Sequence, residues 1–274
     1  MPLTVSDIIA LMETVAPPEL AESWDNVGLA VGGAAWPVEK VWVALDPSPE
    51  IVRAACEDSI DLLVTHHPLI LKPLTVIDDR WPIGHVVHMA IAHQLAIYCA
   101  HTNLDSVQDG LNDLLCQRIG LTDSTVLPTD SAKPIDTAVT SAHGIGRLGR
   151  LPSAMSLPRL ATQIKSALAV DQVRYCGDDE LVVRRVAVCT GSGSSLIDQF
   201  FASDAEAFVT GDLKYHDARD AESVGKGLVD VGHFASEHLM VAHVADRLKA
   251  LAAERRLTVS VEPCRIERDP FKYI

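Results

Sequence analysis

The chain of 274 residues is poor in aromatic side chains, at 5%, and short of positive charge. No apolar run approaches the roughly 20 residues that a bilayer crossing requires, which excludes a membrane-spanning helix. The first residues, MPLTVSDIIALMETVAPPEL, lack a basic stretch ahead of their apolar positions and carry Asp7 and Glu13 among them. They read as an amphipathic helix and not as a secretory signal, so the expected compartment is the cytoplasm. Lys and Arg number 23 against 37 Asp and Glu, a formal net charge of −14. Such a field repels nucleic acid and anionic membrane, and neither is an expected partner. A phosphate-bearing small-molecule substrate would need a receiver other than a basic patch, most simply a metal. Cys-x-x-Cys pairs are absent too. The six cysteines are scattered and read as buried thiols, neither disulfides nor a zinc knuckle.

What is present is core material. Hydrophobic residues make up 48% of the chain, too many for a disordered polymer. Short apolar runs alternate with helical patterns. Strands are expected at VEKVWVALD (38–46), IDLLVTHHP (60–68), LAIYCAHTNLD (95–105), LVVRRVAVCT (181–190), EAFVTGD (206–212) and GLVDVGHF (227–234). Helices are expected between them, at PSPEIVRAACEDS, IGHVVHMAIAHQ, NDLLCQRIGL, near 157–169, at SSLIDQFFAS and at SEHLMVAHVADRLKALAAER. Four-to-eight-residue apolar runs bounded by helices indicate an α/β fold with largely parallel, buried sheets. The Thr-, Ser-, Asp- and Pro-rich section 122–145 is the expected seam.

The chain also resembles itself. An offset of 145 lays VEKVWVALD over VRRVAVCTG, and matches Val38, Val41, Val43, Val64 and Thr65 with identical residues. An offset of 132 lays LAIYCAHTNLD over GLVDVGHFASE, matching His101 to His233 and Asp105 to Glu237. These offsets predict duplicated α/β domains, a first repeat over 1–126 and a second over 127–274, each ending a strand with His-x-x-x-acid.

Four strand ends carry metal-competent side chains: His66 and His67, then His101 and Asp105, then Asp212 and His216, then His233 and Glu237. Ligands of open α/β sheets bind outside the carboxyl ends of the strands, so these segments can converge on one crevice. Adjacent histidines in extended backbone point to opposite sides. A turn at Pro68 would instead splay His66 and His67 toward two neighbouring metals. His233 and Glu237, four apart, share one face of a helical turn. Imidazole with carboxylate suits zinc, iron, manganese, nickel or cobalt. Taken singly, a His-x-x-x-Glu is more often a solvated helix pair and a His-His-Pro a structural strand end. Their recurrence at repeat-related strand ends favours the metal reading. His85, His88, His93, His238 and His243 fall on helices and read as surface or core residues.

Two glycine-containing loops complete the inventory. TGSGSS (190–195) is either an anion cradle of backbone N–H groups or a tight turn with Ser192 or Ser194 capping a helix. In SWDNVGLAVGG (23–33), Asp25 and Asn26 are able to orient water or a ligand.

SWDNVGLAVG, VTHHPLIL, AHTNLD, VAVCTGSG, VTGDLKYHDA and VDVGHFASE, in this order and through the C-terminal DPFKYI, resemble the Nif-three-like family. Its members are often named GTP cyclohydrolase I type 2 homologues. The short stretch between the seam and the 181–190 strand points to a chain without the central domain that some relatives insert. The resemblance implies a duplicated α/β fold and a toroidal homohexamer. It also implies a dinuclear centre of two divalent metal ions per chain, with ligands falling on His66, His67, Asp105, His233 and Glu237. His101 is then a further ligand or an acid/base, and Asp212 and His216 are proton shuttles. The expected activity is metal-dependent hydrolysis of a small nucleotide-like or phosphorylated substrate. The competing reading is a metal-carrying scaffold without turnover.

Overall fold

A computed structural model describes residues 2–128 and 143–272. The chain forms two compact units, residues 1–104 with 240–274, and residues 105–239. These do not coincide with the halves 1–126 and 127–274, because the C-terminal stretch returns to pair in the first unit's sheet. The rest of the expected seam, 129–142, lies outside the described residues.

In the first unit, helix α1 (Val5–Val15) buries Val5, Ile8, Leu11, Met12 and Val15. It starts at Thr4, whose backbone N–H donates to the Asp7 carboxylate at 2.8 Å. Strand β1 (Gly28–Val31) is followed by β2 (Lys40–Ala44), α2 (Pro49–Glu57), β3 (Leu62–Thr65), α3 (Pro82–Ala92) and β4 (Ala96–Cys99). Helix α2 begins with Ser48 accepting from the Ile51 amide and with Pro49 in the first turn, where no N–H is needed. Strand β11 (Ser260–Pro263) completes a sheet of order β1-β4-β3-β2-β11. All its pairs are parallel except β1 with β4. Strands β3 and β4 are buried at every residue, which is why they read as unbroken apolar runs. Strand β11 could not be read that way: it is short and half polar, and closes an edge on Pro263.

The second unit contains α5 (Leu111–Ile119), β5 (Thr122–Val126), β6 (Arg147–Ser156), α6 (Leu157–Leu168), β7 (Arg174–Cys176) and β8 (Val182–Ser192). Then come α7 (Ile197–Ala202), β9 (Ala207–Gly211), α8 (Tyr215–Ser223), β10 (Gly227–Asp230) and α9 (His233–Glu237). The sheet order is β5-β6-β8-β9-β10-β7. Only β8-β9-β10 are parallel, so this sheet is mixed where a largely parallel one was expected. The unread strands are the antiparallel ones, β5, β6 and β7; the pairing of β6 with β8 shifts register between Arg150 and Met155, across Pro152. A bulge around a proline hides the alternation that would reveal a strand. The chain passes between the units inside the short helix α4 (Thr102–Ser106) and at the start of α10 (Leu239–Glu254). Among the described residues, no helix is long and apolar enough to cross a membrane.

The strand registers of the two units match at the offset seen in the sequence. Val41, Trp42 and Val43 of β2 face Leu62, Leu63 and Val64 of β3. Val186, Ala187 and Val188 of β8 face Ala207, Phe208 and Val209 of β9, the same register displaced by the 145 offset. The last strands differ by one residue. Thr65 faces Cys99, and Thr210 faces Asp230, so β4 and β10 correspond one position away from the 132 offset. The extra residue is taken up between Val231 and His233, where Gly232 has φ +83°.

Arg147, 2% exposed, pins the second unit. Its Nε and Nη2 donate to both carboxylate oxygens of Asp113 at 2.8 and 2.9 Å. Further bonds from the guanidinium reach the carbonyls of Gly144, Gly146 and Val107. Breaking a buried pair from one side strands a charge, at a cost of about 3–5 kcal/mol, whereas replacing both partners with apolar groups costs far less. Asp113→Ala is therefore expected to lower stability by about that amount, and Asp113→Leu/Arg147→Met by less, in parallel urea titrations.

Candidate metal centre

In the first unit the strands deliver three imidazoles to the carboxyl edge of the sheet. His66 and His67 extend β3 by two residues, their amides donating to Ala44 and Leu45 carbonyls of the β2 side at 3.3 and 3.0 Å. His101 follows β4 after Ala100, whose amide donates to the Thr65 carbonyl. One ring nitrogen of each of His66, His67 and His101 lies within 4.8 Å of the others. The rings of His66 and His67 are 5.2 Å apart and tilted by 47°, so the two side chains are splayed without pointing to opposite faces. His66 is fully buried.

Each of these rings has its Nδ1 engaged. His66 Nδ1 meets the Ala100 carbonyl at 3.0 Å. That of His67 meets Asp46 at 2.7 Å, and that of His101 meets Asp25 at 3.0 Å. A carbonyl accepts only from N–H, and a carboxylate does the same when ionised, so Nδ1 carries the proton and Nε2 is the nitrogen able to ligate. Asp25 is itself fixed by bonds from the Thr102 amide and hydroxyl. Burial pushes its carboxyl up, but the hydrogen bonds of His101 and Thr102 outweigh this. They hold Asp25 well below the usual carboxylate range. Asp46 ends β2 under a second carboxylate: Glu267, from the C-terminal stretch, accepts the amides of Leu45 and Asp46 at 2.8 and 2.9 Å.

The second unit holds the other expected ligands. His233 opens α9, and its Nε2 lies 2.8 Å from Glu237 Oε2, one turn on. Its Nδ1 meets Asp212 at 2.7 Å, so Asp212 orients an imidazole here. Asp212 sits just beyond β9 with φ +57°, a left-handed conformation that aspartate tolerates better than most residues. The Asp230 carboxylate accepts the amides of Leu213 and Gly232, tying together the two loops that carry Asp212 and His233. Asp105, buried, receives the Thr190 hydroxyl at 3.3 Å. His216 is exposed on α8 and makes an edge contact with Tyr215, with ring centroids 5.4 Å apart.

The segment TGSGSS does not form the expected helix cap. Strand β8 runs through Ser192, and neither Ser192 nor Ser194 caps a helix; Ser194 donates to Asp217 at 2.7 Å. The Gly191 amide donates to Ser236 Oγ at 2.9 Å, and a Cβ on Gly191 would lie 2.0 Å from Glu237 Oε1. Gly191 is small because the carboxylate passes over it. Neighbouring Cys189 is a neutral thiol: burial, then the charges of Asp105 and Glu237, push it well above the ordinary thiol range. The donor set is thus imidazole and carboxylate, with Nε2 atoms turned away from the Nδ1 partners and a buried carboxylate, which suits a borderline transition metal.

Of the other histidines, His85 on α3 pairs with Asp79 at 3.0 Å, and His93, just past the end of α3, with the Met89 carbonyl at 2.9 Å. Sequence reasoning passed over Asp46 and Glu267. For Asp46 a signal existed: it ends a strand, beside the strand carrying His67. For Glu267 none did.

A family model for Duf34/NIF3 (NGG1p interacting factor 3) matches residues 3–270. A Clostridium perfringens protein called GTP cyclohydrolase 1 type 2 homolog is 35% identical over 274 residues, covering 99% of this chain and all of that protein. Among solved structures, Staphylococcus aureus protein SA1388 superposes with a TM-score of 0.90 at 30% identity, covering the whole of both chains. A Bacillus cereus protein related to NIF3 superposes with a TM-score of 0.91 at 26% identity, again over both whole chains.

Gly191→Ala is expected to displace Glu237 and lower metal retention, read as metal per chain after dialysis against a weak chelator. Gly225→Ala serves as the control. Gly225 has φ +69°, close to the +60° of Gly191, but open space where a Cβ would go. Only backbone strain of about 1–2 kcal/mol is common to both.

Proposed function

The chain belongs to the Duf34/NIF3 family, and from that premise we propose that it is a metal-dependent hydrolase of a small nucleotide-like or phosphorylated substrate. Its metal ligands in this reading are His66, His67, Asp105, His233 and Glu237, holding two divalent ions, with His101 beside them. The observation that carries it is the shared state of the four imidazoles, each with Nδ1 bonded to a carbonyl or a carboxylate. His85 and His93 make such bonds too, but His66, His67 and His101 also bring one ring nitrogen each within 4.8 Å of the others, as ligating histidines with a held Nδ1 do. The curated relatives' shared name supports the nucleotide-like substrate class. Low basic charge supports a site where metal, not lysine or arginine, receives phosphate.

Bound at such ligands, two divalent ions supply Lewis acidity and lower the pKa of water toward neutrality. The residues of the chain then have separate tasks. Asp25, Asp46 and Asp212 hold protons on Nδ1 and so keep the rings turned with Nε2 outward. Glu237 and Asp105 bring negative charge, and Glu237 is buried enough for that charge to act at low dielectric. His216, exposed and a helix turn from the Asp212 loop, is in this reading a group that passes protons to solvent. In the same reading the protein works in the cytoplasm as a homohexameric ring, as the family resemblance implies, and binds neither nucleic acid nor membrane.

Elemental mass spectrometry of tag-free protein tests it. About two transition-metal ions per chain are expected in the wild type, falling severalfold in a folded His66→Ala/Glu237→Ala variant. Substoichiometric metal unchanged by the substitutions would defeat the ligand assignment. Full metal with no turnover on nucleotide and phosphoester panels would favour the scaffold reading.

A further inference from the structure

Trp24 is 57% exposed, a large apolar ring left in water by a chain that has few aromatics to spare. Its ring meets His101 edge to face, with centroids 6.1 Å apart and planes at 79°. It therefore stands at the margin of the His66, His67 and His101 group, within the first unit. The loop that carries it is tied down on both sides. Glu22 donates its amide to the Thr102 hydroxyl at 2.9 Å, and the Asp25 amide turns back to the Glu22 carbonyl at 2.9 Å. The Asp25 side chain, with no exposed surface, binds His101 and Thr102. On the far side the Asn26 amide group donates to the Ile70 carbonyl. An exposed indole on a slack loop would be a surface accident. Here the neighbouring residue is locked to the imidazole that the indole touches, so the ring's distance from the histidine group is set before any ligand arrives.

We propose that Trp24 is the stacking platform for a planar heteroaromatic ring of the substrate, which it holds beside His101. The inference rests on the metal-dependent reading of the same site and narrows the substrate class within it. An indole offers a broad polarisable face and only two side-chain torsions to restrain, so a flat ring laid on it gains contact at small entropic cost. Stacking tolerates different bases because every base has a π face. Trp24 thus orients a ring without selecting among purines and pyrimidines. Selection among them falls to other groups, and attachment through phosphate does not depend on Trp24 at all. That last separation gives the proposal its test.

Binding of guanosine 5′-monophosphate, adenosine 5′-monophosphate and ribose 5-phosphate is measured by calorimetry on the full chain, both with its metal and after chelation. The proteins are the wild type, Trp24→Phe and Trp24→Ala, with metal per chain determined on the same samples. Loss of one stacking partner corresponds to a roughly 5- to 150-fold change in dissociation constant. Trp24→Ala is expected to weaken both nucleotides by that factor, Trp24→Phe by no more than about threefold, and ribose 5-phosphate by neither. Equal nucleotide affinity in Trp24→Ala and wild type overturns the proposal. So does an equal loss for ribose 5-phosphate, or failure of the wild type to bind either nucleotide in both metal states. Absence of metal from the wild type defeats the metal-dependent reading instead, and the Ala-against-Phe contrast in chelated protein still decides the role of Trp24.

Discussion

An imidazole has two nitrogens and, when neutral, one proton; it can offer a lone pair in a chosen direction only if something else holds that proton. In this protein the holder is supplied by the sheet. Parallel neighbours end side by side, so a carboxylate finishing one strand lies next to a histidine finishing the next. Asp46 after β2 reaches His67 after β3, and Asp212 after β9 reaches His233 after β10. The two units use this device on different strand pairs. His66 takes a backbone carbonyl from the neighbouring strand's exit, and His101 takes Asp25 from a loop. The chemistry of the site is thus a consequence of parallel pairing, which brings strand ends together without sequence proximity.

The same arrangement explains why small residues and deep burial occur where the polar groups are. Glu237 is 4% exposed and passes over Gly191, and Ser236 bonds the Gly191 amide. A side chain at 191 would occupy the carboxylate's place. Cys189, behind them, stays neutral because two carboxylates and burial all oppose a thiolate. Such a polar cluster is costly unless its members are satisfied. Here Asp230 takes loop amides, Thr190 serves Asp105, and Asn112 serves the Thr190 amide. These contacts keep the chain's turns in place around the imidazole and carboxylate groups.

Much of this could be read before any coordinates. Fully buried strands announce themselves as LLVT and AIYC, and the polar residues immediately after such runs are at the carboxyl edge by construction. The 145 offset was carried by three identical valines, two more matches and a strand register that the structure reproduces. The 132 offset matched the histidines correctly, yet ran one residue out of step with the strands, because Gly232 lengthens the second exit. Beyond reach were the short antiparallel strands β1, β5 and β7, then β6, broken by its own bulge, and β11, four residues whose partner β2 lies more than two hundred positions away.

Identity and order of residues determined the α/β class, the duplication, the acidic surface and the donor types, since these depend on composition and on periods of two or a few residues. Which nitrogen of each histidine carries its proton, which acid stands behind which ring, and why position 191 must be glycine were decided only by tertiary structure. Each depends on an approach of a few ångströms between residues distant in the chain, such as Asp25 and His101 or Leu45 and Glu267. Local sequence carries no record of such distances until the sheet has closed them.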